Sequence, residues 1–207
     1  MAETFRTGWT VGRLMLDTCI WVAISEPNRG VASEQPAIEE LLELEGQRRV
    51  ALAKADTVDV ERTSGVEPSL AEERILETAA TIEAHGPFLL NHSRLDHSVF
   101  GSSIDEEGIA AVLALDHPGR RLNDASRSGV HDLRDALHIW TAIRYGYNGF
   151  VTTDGAVLES AERFLHRGTG SIRVLSPMQA IAWLRREIER EVQRTTRRQN
   201  LNGESCC

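Results

Sequence analysis

Cysteine is nearly absent: there are three in 207 residues, and two of them, Cys206 and Cys207, end the chain. An odd count without framework spacing excludes a disulfide-stapled fold. Long hydrophobic runs are missing too. Stretches such as Ile109-Ala110-Ala111-Val112-Leu113-Ala114-Leu115 fall far short of the roughly 20 residues that a membrane-spanning helix needs. Met1 to Thr10 lacks a cationic start followed by an apolar core, so no secretory signal is read there and a cytoplasmic protein without a membrane span is expected. No internal repeat or low-complexity block is present. The chain also has no G-x-x-x-x-G-K-[ST] loop, G-x-G-x-x-G turn, nucleophile elbow or H-E-x-x-H helix. Asp17-Thr18-Cys19 lacks a second Asp two residues on, which weighs against an aspartyl-nucleophile phosphatase.

A basic face is missing as well. The net charge is −8. Six arginines (185, 186, 190, 194, 197, 198) against four acids give the segment from Arg185 onward a balance of +2, so the body carries −10. Passive nucleic-acid binding usually shows as a basic surface. An acidic body suits an enzyme whose cation bridges it to phosphates, or a basic protein partner. With 41% hydrophobic and 26% charged residues, the composition is that of an ordinary globular domain with a sizeable core.

What is present is an alternation of strand and helix. Arg13 to Cys19 reads as a strand, with a helix opening at Ile20. A second helix runs from Gln35 or Pro36 to about Gln47 on the period of Ile38, Leu41 and Leu42. Val50–Ala53 reads as a strand and Thr57–Thr63 as a short helix. Ser69-x-x-Glu72 resembles a capping box opening a helix to Ala84 or His85, stopped by Gly86-Pro87. Phe88–Leu90 reads as a strand and residues 91–103 as a loop. Asp105–Leu115 and His131–Tyr145 read as helices, Asn148–Thr153 as a strand, Ala156–His166 as a helix, and Ile172–Leu175 as a strand. Ser176-Pro177 starts a last helix to about Arg194. This order predicts an α/β fold with a central, mainly parallel sheet covered on both faces, a three-layer α/β/α arrangement. The middle segment 86–129 is enlarged and the C-terminal helix extended. Residues 13–184 form the expected domain, and 185–207 a basic helical extension with a disordered tail.

Four acids lie at edges of these apolar segments: Asp17, Glu61, Asp135 and Asp154. Sites in parallel sheets form beyond the carboxyl ends of strands, where carboxylates make a hard-oxygen site for a divalent cation. Leu14-Met15-Leu16-Asp17-Thr18-Cys19-Ile20-Trp21 resembles the opening of PIN-domain proteins. Asp135-Ala136-Leu137-His138-Ile139-Trp140-Thr141-Ala142 is similar to that family's D-A-x-x-x-A-x-A helix, and Phe150-Val151-Thr152-Thr153-Asp154 to its T-x-D strand end. Ile172 to Ala180 resembles the family's closing strand, proline and helix. The resemblance covers roughly residues 13–184.

What the resemblance implies is a VapC-like ribonuclease using Mg²⁺ or Mn²⁺, with Asp17, Glu61, Asp135 and Asp154 as catalytic acids and metal ligands. Asp17 and Asp154 are expected to hold the principal ion. For the second acid Glu61 fits best, with Asp59 the alternative if its helix is rotated and Asp56 nearby. An RNA substrate, a small antitoxin and a homodimer are implied in the same way. The chain departs from the family in its enlarged middle, its long C-terminus, and the absence of an aromatic in Gly155-Ala156-Val157-Leu158, which bears on substrate preference.

Thr18 and Thr152 could hold a carboxylate or a metal-bound water, although Thr is also a natural strand residue. His138 shares a helix face with Asp135 and either orients a carboxylate or packs in the helix interface. Arg94, in the loop Asn91 to His97, could touch a phosphate, while that loop's histidines match no zinc template. His131 and Asp132 read as capping and dipole-matching residues at a helix start. Trp21, Trp140 and Trp183 read as core, and the arginines of the last helix as a self-paired solvated face.

Overall fold

The structure is a computed structural model that describes residues 11–26, 30–55, 83–85, 98–99, 105–123, 126–165 and 172–203. In chain order the elements are β1 (Gly12–Leu16), α1 (Thr18–Ser25), α2 (Gln35–Gly46), β2 (Val50–Ala55), β3 (Glu83–His85), β4 (Ser98–Val99), α3 (Glu106–Asp116), α4 (Arg127–Arg144), β5 (Gly149–Val151), α5 (Gly155–Glu159), α6 (Ala161–Leu165), β6 (Arg173–Leu175) and α7 (Pro177–Gly203). The strands form one sheet in the order β4-β3-β2-β1-β5-β6, and every pairing is parallel.

Leu14, Met15 and Leu16 are all buried because a central parallel strand has helices on both faces and no solvent side. In register, Leu14 stands beside Leu52 of β2 and Gly149 of β5. Helices α2 and α7 pack together, as do α3 and α4, and α4 meets β2 and β5. The arrangement is α/β and compatible with three layers. Trp21, Trp140 and Trp183 lie in the core as expected. No described helix is long and apolar enough to cross a membrane.

Topology fixes where a site can form. The chain leaves β1 toward β2 on one side, while β5 lies on the other side of β1 and leads outward to β6. At such a switch point the flanking connections diverge and leave a crevice beyond the carboxyl ends of the two strands. Asp17 follows β1 directly and Asp154 lies three residues beyond β5.

Several expected boundaries move. Helix α1 begins at Thr18, so Cys19 belongs to a helix and not to the first strand; the cause is the Asp17 side chain, which caps that helix. The helix expected up to His85 is contradicted at its end, where residues 83–85 pair with Ala53–Ala55 as β3. Residues 98 and 99, expected in a loop, form β4 beside β3. Helix α4 starts four residues earlier than the pattern suggested, because Ser126 Oγ accepts from Gly129 N at 3.1 Å as its N-cap. His131 and Asp132 therefore sit inside the helix and do not cap it. The helix expected over 156–166 breaks at Ser160, whose hydroxyl donates to Val157 O at 2.8 Å and to Asp116 Oδ1 at 2.6 Å. The last helix runs to Gly203, well past Arg194. Its start is a reciprocal cap, with Ser176 N donating to Gln179 Oε1 at 2.9 Å and Gln179 N donating to Ser176 Oγ at 3.3 Å. Two of its arginines pair within the helix as expected, Arg190 with Glu187 and Arg194 with Glu191, while Arg185 reaches across to Glu40 of α2.

The close packing of α7 on the sheet has a measurable consequence at Gly12. A Cβ there would meet the Trp183 ring at 2.7 Å. Gly12→Ala is expected to destabilise the protein by about 1–3 kcal/mol, the usual range for overpacking. Urea midpoints of the two proteins check it, and an unchanged midpoint would mean that the Trp183 contact is loose.

Candidate metal centre

Asp17 is the structural hub of the carboxyl edge of β1 and β5. Its backbone N–H donates to Val151 O at 2.9 Å, tying the end of β1 to the end of β5. Its side chain, 6% exposed as a residue, then collects four contacts. Oδ1 accepts from Thr18 N at 2.7 Å and lies 3.2 Å from His138 Nδ1. Oδ2 accepts from Thr152 Oγ1 at 2.6 Å and lies 3.3 Å from Cys19 Sγ. Burial alone would push this carboxyl up, but the hydrogen bond and charge of His138, with the bonds from Thr152 and Cys19, pull it below its ordinary value. Asp17 is therefore held ionised. Burial and the Asp17 charge push the Cys19 thiol up to about 12, which makes it a hydrogen-bond donor and an inert thiol.

Thr152 links the two strand ends, since its hydroxyl also accepts from Asp154 N at 3.0 Å. Asp154 is exposed and caps α5, with Oδ1 accepting from Ala156 N at 2.8 Å and Val157 N at 3.4 Å. Asp135 comes from α4, one turn before His138 on the same face. Burial raises its carboxyl first; Asp17, Asp154 and Asp116 add repulsion against a smaller lowering by His138, and the carboxyl ends at about 8. Asp17, Asp135 and Asp154 thus share one electrostatic neighbourhood. Glu61, Asp59, Asp56, Arg94 and the histidines of the 91–97 loop lie outside the described residues, as do Trp9, Asp124, Cys206 and Cys207.

The arrangement sets terms for a cation. Both oxygens of Asp17 already carry two contacts, which fills their acceptor capacity. Asp17 ligates an ion directly only by giving one up, and the Cys19 contact is the weakest. Asp135 and Asp154 are better placed to offer oxygens, and a hard cation that keeps part of its water shell can reach Asp17 through water. The donors here are oxygens, the kind a hard divalent cation takes: the carboxylates of Asp135 and Asp154, with the Thr152 hydroxyl bonded to Asp17 and to the Asp154 backbone.

His138 is 1% exposed and orients Asp17, so the carboxylate-orienting alternative for this residue holds together with its burial in the helix interface. Thr18 contributes a backbone amide to Asp17, and Thr152 a hydroxyl. Two residues escaped the sequence reading. Lys54 is buried at the carboxyl half of β2, beside Leu16 in register. Asp116 is 4% exposed at the last position of α3, and burial, followed by repulsion from Asp154 and Asp132, raises its carboxyl despite Ser160 and His117. A signal for Asp116 was there: a carboxylate at a helix C-terminus opposes the helix dipole, so an acid there needs another reason. No protein-family model matches the chain, and no curated protein matches it.

Proposed function

We propose that the chain is a metal-dependent ribonuclease of the PIN type, hydrolysing RNA phosphodiesters at the carboxyl edge of β1 and β5. The observation that supports the reading is the electrostatic coupling of Asp135 to Asp17 and Asp154 near the topological switch point, with Asp135 raised to about 8 by its surroundings. Apart from burial, carboxylates crowded in this way repel one another, and a cation relieves the repulsion. A bound Mg²⁺ or Mn²⁺ supplies an activated water and neutralises charge on the pentavalent transition state.

The chain's own residues perform the remaining work. Asp17 fixes a permanent negative charge at the floor of the crevice and is kept in one rotamer by Thr18, His138, Thr152 and Cys19. Asp135 and Asp154 offer oxygens from two different elements, α4 and the N-cap of α5. Thr152 ties Asp17 to the Asp154 backbone, which keeps the spacing between the two acids. RNA as substrate, a small antitoxin, a homodimer and the role of toxin come with the family resemblance. Single-stranded RNA incubated with the protein is expected to be cleaved in Mn²⁺ and left intact in chelator; intact RNA in both would overturn the reading.

One observation favours a second reading, a non-catalytic PIN-like module that binds RNA or protein. The filled acceptor capacity of Asp17 suits a purely structural carboxylate. A thermal melt separates the two. An ion that binds the native state raises its midpoint, and at saturating Mn²⁺ the nuclease reading expects a shift of several degrees for a chain of this size. No shift would favour the scaffold.

A further inference from the structure

Beyond the crevice, the end of α3 faces α4 across a polar cavity of about 470 Å³, lined among others by Asp116, His117, Arg120, Asp132, Ser160 and Arg163. We infer that Asp116 and His117, together with the Asp135 of the proposed nuclease centre, form a second cation site of mixed imidazole and carboxylate ligands, selective for a borderline transition-metal ion such as Zn²⁺ over Mg²⁺. Ligand atoms of these three residues lie within 4.8 Å of one another, close enough to share one ion.

The geometry points to a ligand and not to a plain ion pair. The Asp116 side chain is fully buried, and its Oδ1 is taken by the Ser160 hydroxyl. Its Oδ2 accepts no hydrogen bond, although His117 Nε2 lies only 3.3 Å away. Nε2, also shielded from solvent, makes no hydrogen bond either, and its second acidic neighbour, Asp132 Oδ1, is at 3.6 Å. Were this a closed His–Asp pair, an N–H directed along the 3.3 Å contact would satisfy both atoms. Instead a nitrogen and an oxygen stand side by side, undirected, and a buried carboxylate oxygen in that state is costly. An ion between them would satisfy both.

The surroundings are built to hold such ligands still. Ser160 fixes one oxygen of Asp116, and Arg163 Nη1 donates to Leu115 O at 2.9 Å and Asp116 O at 3.3 Å, clamping the end of α3. Arg120 is itself engaged by Asp132 and by Ser128 Oγ at 2.9 Å. Outer-shell bonds of this kind orient metal ligands. Imidazole beside carboxylate suits Zn²⁺ and its neighbours, whereas Mg²⁺ prefers oxygen alone.

The site shares Asp135 with the proposed nuclease centre but is tested without any cleavage assay, so either reading can fail alone. Zn²⁺ is titrated into the full chain while histidine side-chain nitrogens are followed by long-range ¹H–¹⁵N NMR. The His117 Nε2 signal is expected to move to a metal-bound position, and Mg²⁺ at the same concentration to leave it in place. In calorimetry, His117→Asn is expected to bind this Zn²⁺ at least about tenfold more weakly, while Asp17→Asn keeps it. A His117 signal unmoved at Zn²⁺ saturation, or equal Zn²⁺ uptake by His117→Asn and wild type, would overturn the inference.

Discussion

In chelator, Asp135→Asn is expected to be more stable than the native chain at about pH 8, and the gap should close as the pH falls toward 4. The ordinary carboxyl value of 3.8 is raised to about 8 in the folded protein. Across that window the native state binds more protons than the unfolded chain, so stability falls as pH rises. At about 1.4 kcal/mol per unit, the full effect is on the order of several kcal/mol. The variant cannot ionise and fills the same space, so this slope should flatten. Asp17 acts in the opposite sense: its folded value is depressed, and its contribution is lost as pH falls below about 4. Urea midpoints of both proteins across the window measure the difference. Parallel pH slopes would show that Asp135 is not held protonated. Mn²⁺ added to the native chain at pH 8 should recover stability, because an ion replaces the missing proton.

Asp17→Asn is expected to lower RNA cleavage at least about a hundredfold, the upper range for removing a group that supports a metal site. The same change should cost about 1–3 kcal/mol of folding stability, as a charged hydrogen-bond acceptor is lost. Asn can keep the cap to Thr18 N through its oxygen. Its amide nitrogen then faces either His138 or the Thr152 and Cys19 pair, all of which donate to the carboxylate. The core under the site, Leu14, Met15, Leu16 and Trp21, is untouched, so the near-ultraviolet circular dichroism of the variant should match the native spectrum. Cleavage that persists in a folded Asp17→Asn chain would remove Asp17 from the mechanism.

The parts of the fold that could be read from sequence are those set by local pattern. Leu14-Met15-Leu16 and Phe150-Val151 are continuous apolar runs because both faces of a central parallel strand are covered. Asp17 and Asp154 follow those runs, so their place at the carboxyl edge could be foreseen. Ser176 and Gln179 carry a capping signal that acts within one turn. What could not be read depends on partners distant in sequence. At the break, Ser160 bonds to Asp116, 44 residues earlier. Strand β3 pairs with the end of β2 at Ala53–Ala55, a long-range partnership that no local propensity encodes.

The site divides along the same line. His138 could be placed beside Asp135 by helical spacing, but its bond to Asp17 spans 121 residues and needed the packing of α4 on the sheet. Asp116 closes an apolar helix just before the breaker His117-Pro118-Gly119, a local pattern that is the same for a solvated helix end and for a buried acid. Burial of that acid against Ser160 and His117 is a tertiary event. Glu61, by contrast, rests on sequence order alone.

Anomalous diffraction from a crystal soaked in Mn²⁺ tests most directly whether the carboxyl edge of β1 and β5 is a cation site. The account predicts a peak roughly 2.1 Å from an oxygen of Asp135 or Asp154, with Asp17 reached directly or through one water. No peak at millimolar Mn²⁺, or peaks confined to acids away from Asp17, Asp135 and Asp154, would contradict it.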